Sequence, residues 1–184
     1  MATRFTARKA FFNFLGSSFR IFGNDGGLLY YIKQKAFRLK EELVVFADEG
    51  QSKPTLRIKA RNIFDTSATY DVIDAASGEN VGACQRQGLR SMFRDEWHLL
   101  DADGAQIGSV KEDSLMMALL RRFLFKTLFP QTFLMLDIGG NPLGKIKQRF
   151  NPFQLSYDVE FDGIDHRLGV ATTVLLLAIE GRQK

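Results

Sequence analysis

Two triplets of basic residues alternate with apolar ones along the chain: Arg57, Lys59 and Arg61 around Leu56, Ile58 and Ala60, and Lys145, Lys147 and Arg149 around Ile146. In an extended strand successive side chains point to opposite faces, so each triplet forms a cationic stripe on one face of a sheet. Three cations at alternate positions span roughly 14 Å and can touch one anionic surface together. That is the chemistry of contact with anionic lipid headgroups, where each near-surface Lys or Arg adds ~1 kcal/mol of binding to an anionic bilayer. The plainer use of the same pattern is the solvated outer face of a sheet.

Other reactive residue types lack the spacing that chemistry requires. Asp101-Ala-Asp103-Gly104 glances at calcium. A helix-loop-helix calcium site, however, puts its Gly sixth in the loop and a bidentate Glu twelfth. Here Gly is fourth and strand-like segments flank it, so the segment reads as a tight turn. The two histidines, His98 and His166, fit neither a catalytic triad nor a zinc site, and both read as structural or exposed. Cys84 is the single cysteine, which rules out an internal disulfide and a thiolate metal cluster; its strand-like surroundings suggest a buried structural thiol. Gly26-Gly27 and Gly139-Gly140 lie between strand-like segments, not at a strand-to-helix junction, so no phosphate-cradling loop is present. These readings predict a non-enzymatic protein with no cofactor, no metal and no nucleic-acid partner. With 25 Lys and Arg against 21 Asp and Glu, the net charge of +4 permits an anionic partner without requiring one. The lone cysteine fits a reducing compartment and a cytoplasmic location, peripheral to a membrane if the stripes are used.

The elements that must carry these stripes are hairpins. Trp97 to Leu100 lead into Asp101–Gly104 and out through Ile107–Val110; Phe133–Leu136, Asp137–Gly140 and Leu143–Ile146 repeat the arrangement, as do Tyr70–Ile73, Asp74–Gly78 and Val81–Cys84. Looser copies place Asp25-Gly26 after Phe19–Phe22 and Asp48-Glu-Gly50 after Leu43–Phe46. In each turn Asp can accept from the turn backbone and Gly supplies a positive φ. Five hairpins give about ten strands; Leu155–Phe161 adds one, and the Phe-rich N-terminal segment can add another. The recurrence of Gly82, Gly108 and Gly144 at intervals of 26 and 36 reads as irregular, which fits hairpins of one sheet and not solenoid repeats. Basic residues before Asp25 (Arg4, Arg8, Lys9 and Arg20) faintly suggest an organelle presequence, but the segment lacks an uninterrupted apolar core and reads as folded or loosely docked.

Leu168–Ile179 is apolar or small at every position. A helix without a polar stripe needs surroundings on all sides, and twelve residues fall short of the ~20 needed to span a bilayer. Asp165 is its candidate N-cap and Gly181 the residue past its end. The predicted fold is therefore all-β: one domain over residues 1–184, a closed antiparallel barrel of about twelve strands around a buried hydrophobic C-terminal helix. Closure also removes the edges that Phe-rich strands would expose. A second helix, capped by Asp113 or Ser114, is predicted from Leu115 to before Pro130. Its Arg121, Arg122 and Lys126 form a basic face beside Phe123, Phe125 and Phe129, suited to packing on the barrel or to a membrane interface.

The order of Tyr31-Ile-Lys-Gln-Lys-Ala36, Ser67-Ala-Thr-Tyr-Asp-Val-Ile-Asp74, Arg94-Asp-Glu-Trp97 with the Asp101–Gly104 turn, and the Leu168–Ile179 helix resembles the tubby C-terminal-like superfamily. Within it the chain is similar to the LURP-one-related and phospholipid scramblase-like proteins, over nearly its whole length. The resemblance implies a twelve-stranded barrel around a hydrophobic C-terminal helix. Its functional implications divide between phosphoinositide headgroups held by basic side chains, calcium-dependent lipid movement, and members with no assigned activity. The scramblase cysteine cluster and a calcium loop are missing from this sequence. An anionic phospholipid or phosphoinositide partner is the expectation that follows, and a protein-interaction scaffold is the alternative.

Overall fold

The computed structural model of the chain describes residues 2–10, 16–35, 42–61, 68–87, 96–113, 130–149, 151 and 154–180. Twelve strands form one closed sheet: β1 (Thr3–Ala10), β2 (Gly16–Phe22), β3 (Leu28–Lys35), β4 (Glu42–Phe46), β5 (Pro54–Ala60), β6 (Thr69–Asp74), β7 (Asn80–Arg86), β8 (Glu96–Leu100), β9 (Gln106–Glu112), β10 (Thr132–Asp137), β11 (Pro142–Arg149) and β12 (Gln154–Phe161). Each pairs antiparallel with its sequence neighbours, and the barrel closes where β1 meets β12, in register from Thr3↔Phe161 to Ala10↔Gln154. The N-terminal segment is thus the closing strand, which leaves no edge to template aggregation.

All five predicted hairpins form, joining β2 to β3, β4 to β5, β6 to β7, β8 to β9 and β10 to β11. The turn aspartates act as anticipated: Asp101 Oδ1 accepts from the N–H groups of Asp103 and Ala105, and Asp74 Oδ1 from those of Ala76 and Ser77. Each hairpin also carries a bulge just past its turn, at Leu29, Thr55, Val81, Ile107 and Leu143. The first four bulges recur every 26 residues and the last follows after 36, so the interval that looked irregular is a strict hairpin repeat with one longer connection. Gly82 sits directly after its bulge at φ 143°, and a Cβ there would lie 2.3 Å from the Leu100 carbonyl oxygen. The neighbouring strand passes too close for any side chain.

The helix α1 (His166–Glu180) runs inside the barrel, and every residue from Leu168 to Ile179 is buried. Around it pack inward side chains at alternate strand positions, among them Phe19, Ile32, Ile58, Leu99, Phe133, Ile146 and Tyr157. Thr172 and Thr173 tolerate this interior because their hydroxyls donate to the Leu168 and Gly169 carbonyls. Asp165 is the N-cap, its Oδ1 accepting the Arg167 N–H at 2.8 Å. At the other end the ammonium of buried Lys9 donates to the Leu177 carbonyl, one of the four that no intrahelical partner satisfies. The predicted Gly181 terminus and the predicted Leu115 helix lie outside the described residues, as do Arg121, Arg122 and Lys126.

Candidate functional site

Both basic stripes point outward, as their alternation requires, but their surroundings differ. On β5, Arg57 and Lys59 are exposed, and Arg61 follows just past the strand end. The adjacent strands answer them with carboxylates. Glu42 of β4 lies 3.5 Å from Arg57, and Asp71 of β6 lies 2.7 Å from Arg61. Lys59 has both acids as its cross-strand neighbours. This face is close to neutral.

The β11 stripe sits elsewhere on the barrel, on a face completed by β12 and β1. Lys145, Lys147 and Arg149 are all exposed. Glu160 and Asp158 stand directly across from Lys145 and Lys147, yet among the described residues neither carboxylate bonds to a lysine. Glu160 accepts from the Arg4 guanidinium at 2.8 Å, while Asp158 accepts from Arg149 and from the Thr6 hydroxyl. Among the described residues Lys145 and Lys147 therefore have no ion-pair partner. Arg8 extends the same face along β1, its guanidinium 4.8 Å over the Phe22 ring. Five cations thus face two carboxylates, both already bound to arginines. The surface between these strands is concave, a groove of about 330 Å³ lined by Arg4, Thr6, Lys145, Lys147 and Arg149 together with Asp158 and Glu160, and reaching Asn24 in the β2–β3 turn.

Sequence spacing finds the β11 stripe but misses Arg4, Arg8 and Thr6, which join it only because β1 closes against β12. In a second polar cluster the sequence marks Asp165 as a cap and Asp74 as a turn residue but gives no signal for the arginine that joins them. Arg167 in the first turn of α1 donates to Asp165, to Asp74 at 3.1 Å and to Glu79 at 2.8 Å, pinning the helix entrance to the β6–β7 hairpin. The Ser77 N–H, Arg167 and the Ala76 N–H together hold the Asp74 carboxyl down at about 2. Beside it, His166 Nε2 is hydrogen-bonded to the Tyr30 hydroxyl at 2.8 Å, and burial pushes the imidazole below its ordinary value. His98 bonds to the Gln87 amide. Cys84 is fully buried against the Thr172 hydroxyl, and desolvation raises its thiol to about 12. A thiol in that state is neither a nucleophile nor a metal ligand at neutral pH. Among the described residues no group of three or more His, Cys, Asp and Glu side chains converges on a metal-sized site, and no helix is long and apolar enough to cross a membrane.

No curated protein matches this sequence. Among solved structures, the X-ray structure of a protein from Arabidopsis thaliana matches with a TM-score of 0.55 at 10% identity, covering 98% of this chain and 93% of that one. That likeness is one of fold: a closed barrel threaded by a helix. The LURP-one-related family model matches residues 28–177, from the start of β3 to near the end of α1. With most of the barrel and its central helix inside that match, the chain belongs to the LURP-one-related family.

Proposed function

We propose that this chain is a non-enzymatic binding module whose β11–β12–β1 face meets anionic phospholipid headgroups at a membrane surface. One observation carries the reading: the carboxylates of that face are bound to Arg4 and Arg149, so among the described residues Lys145 and Lys147 are left unpaired at the rim of a groove. An anion approaching them displaces no internal partner. The β5 triplet Arg57, Lys59 and Arg61 supports the same chemistry less well, because Glu42 and Asp71 pair with Arg57 and Arg61 and, among the described residues, leave one lysine, Lys59, without an ion pair where the β11 face leaves two. That interleaving favours the scaffold alternative for the β4–β6 face, whose charges keep a barrel wall solvated.

The test is flotation with neutral vesicles and with vesicles containing phosphatidylserine or phosphoinositide. At ~1 kcal/mol per near-surface cation, Lys145→Gln with Lys147→Gln should weaken association at low salt about thirtyfold. The effect should fade as added salt shortens the screening length. Replacing Arg57, Lys59 and Arg61 by Gln should cost less. Failure of the parent protein to float with any anionic vesicle refutes the lipid reading and leaves the scaffold.

A further inference from the structure

The hairpin that carries the two unpaired lysines also carries the most exposed large apolar side chain among the described residues. Ile138, at the tip between β10 and β11, is 78% exposed, against 39% for Leu29, the next. The other four hairpin tips hold nothing comparable: Ala75-Ala76-Ser77 is small, and Asn24-Asp25-Gly26, Asp48-Glu49-Gly50 and Ala102-Asp103-Gly104 carry carboxylates that an anionic surface repels. The tip is also firmly built. The Asn141 N–H and side-chain amide donate to the two Asp137 carboxylate oxygens at 2.7 and 2.8 Å, and the Gly140 N–H donates to the Asp137 carbonyl at 3.1 Å. This network satisfies the carboxylate within the turn and holds Ile138 outward, so its exposure belongs to the fold.

A lone exposed isoleucine is common on protein surfaces. This one differs in its neighbours. At ~3.4 Å per residue, Lys145 lies roughly 14 Å along the strand from the tip. The polar layer of one bilayer leaflet is about 5–8 Å deep, and a lysine side chain reaches several ångströms beyond its strand. A barrel tilted onto its β11 side can thus place the tip below the headgroups while Lys145 meets them, and the tilt lowers Lys147, about 7 Å farther along the strand, toward the same layer. We infer that Ile138 is a hydrophobic anchor that enters the acyl boundary of an anionic membrane when the β11–β12–β1 face docks. The inference rests on the lipid reading above and adds to it a second, apolar component of binding and a fixed orientation.

The two components separate by salt. Ile138→Asn should weaken association with phosphatidylserine vesicles by roughly tenfold, the effect of leaving one large aliphatic side chain in water. The deficit should persist at high salt, where that of the Lys145→Gln, Lys147→Gln variant fades. Melting temperature should stay at the parent value. In a separate Ile138→Trp protein, the new indole should shift its emission to the blue on vesicle addition and be quenched by brominated acyl chains. Trp97, buried at 1% exposure, gives a constant background. Parent-like association of Ile138→Asn, or no quenching of the introduced indole, overturns the anchor while leaving the lysine contacts standing. No association by the parent overturns both.

Discussion

Replacing Gly169 by Ala sets two opposed effects against each other, and the packing decides which prevails. In the body of a helix the change ordinarily gains about 1 kcal/mol, because Ala has the higher helix propensity. At position 169 a Cβ would lie 2.2 Å from Phe161 Cζ and within 2.6 Å of both neighbouring ring carbons. Carbon atoms in contact need about 3.5–4 Å, so the ring must withdraw by more than an ångström. It has nowhere to go. Phe161 is 1% exposed, the Phe5 ring meets it edge-on at 6.0 Å, and the His166 ring lies 6.4 Å away. Overpacking of this kind costs about 1–3 kcal/mol, and a rigid aromatic boxed on two sides belongs near the top of that range. The net is a loss of about 2 kcal/mol, or roughly 4–8 °C in melting temperature for a chain of this size. The sign should reverse in a Phe161→Leu background, where the smaller side chain vacates the space and the propensity gain of up to ~1 kcal/mol reappears. Thermal melts of the four proteins in this double-mutant cycle test the argument. A melting temperature at or above the parent's for Gly169→Ala alone would show that the helix does not enter the barrel against Phe161.

Two further outcomes follow from the buried and paired groups. Arg167→Gln should lower stability at pH 7, and the gap to the parent should close toward pH 2. Asp74 and Asp165 have depressed folded values, so the stability they contribute is present above their unfolded value near 4 and is lost as pH falls through the folded one, about 2 for Asp74. Urea unfolding at pH 7, 4 and 2 measures this, and a gap constant across all three would exclude the carboxylate contacts as its source. Cys84, its thiol raised to about 12, should resist a thiol-specific reagent at pH 8 in the folded protein and react fully once unfolded. Rapid stoichiometric labelling of native protein would contradict its burial against Thr172.

The features legible in the sequence are those whose physical cause is local. An Asp that accepts from its own turn and a Gly at positive φ a few residues on mark a hairpin without reference to the rest of the chain, and Asp74, Asp101 and Asp137 do so. The central helix was legible for a related reason: twelve residues with no polar stripe leave few environments open. The 26-residue repeat was hidden because it is carried by backbone geometry. Leu29, Thr55, Val81 and Ile107 share a bulge and no residue type, and Gly follows only the later bulges, with Tyr30 and Leu56 in the earlier positions.

The candidate site was half legible, and the missing half decides its chemistry. Alternation shows that Lys145, Lys147 and Arg149 share a face, as it does for Arg57, Lys59 and Arg61, so from sequence the two stripes are equivalent. What separates them is which acids stand alongside and whether those acids are already engaged. On the β5 face Glu42 and Asp71 turn to the stripe's own arginines. On the β11 face the closure of β1 onto β12 brings Arg4 to Glu160 across 156 residues of chain, and that distant arginine takes the carboxylate that would otherwise answer Lys145. An unpaired cation is thus a property of the barrel's register and not of the stripe that contains it.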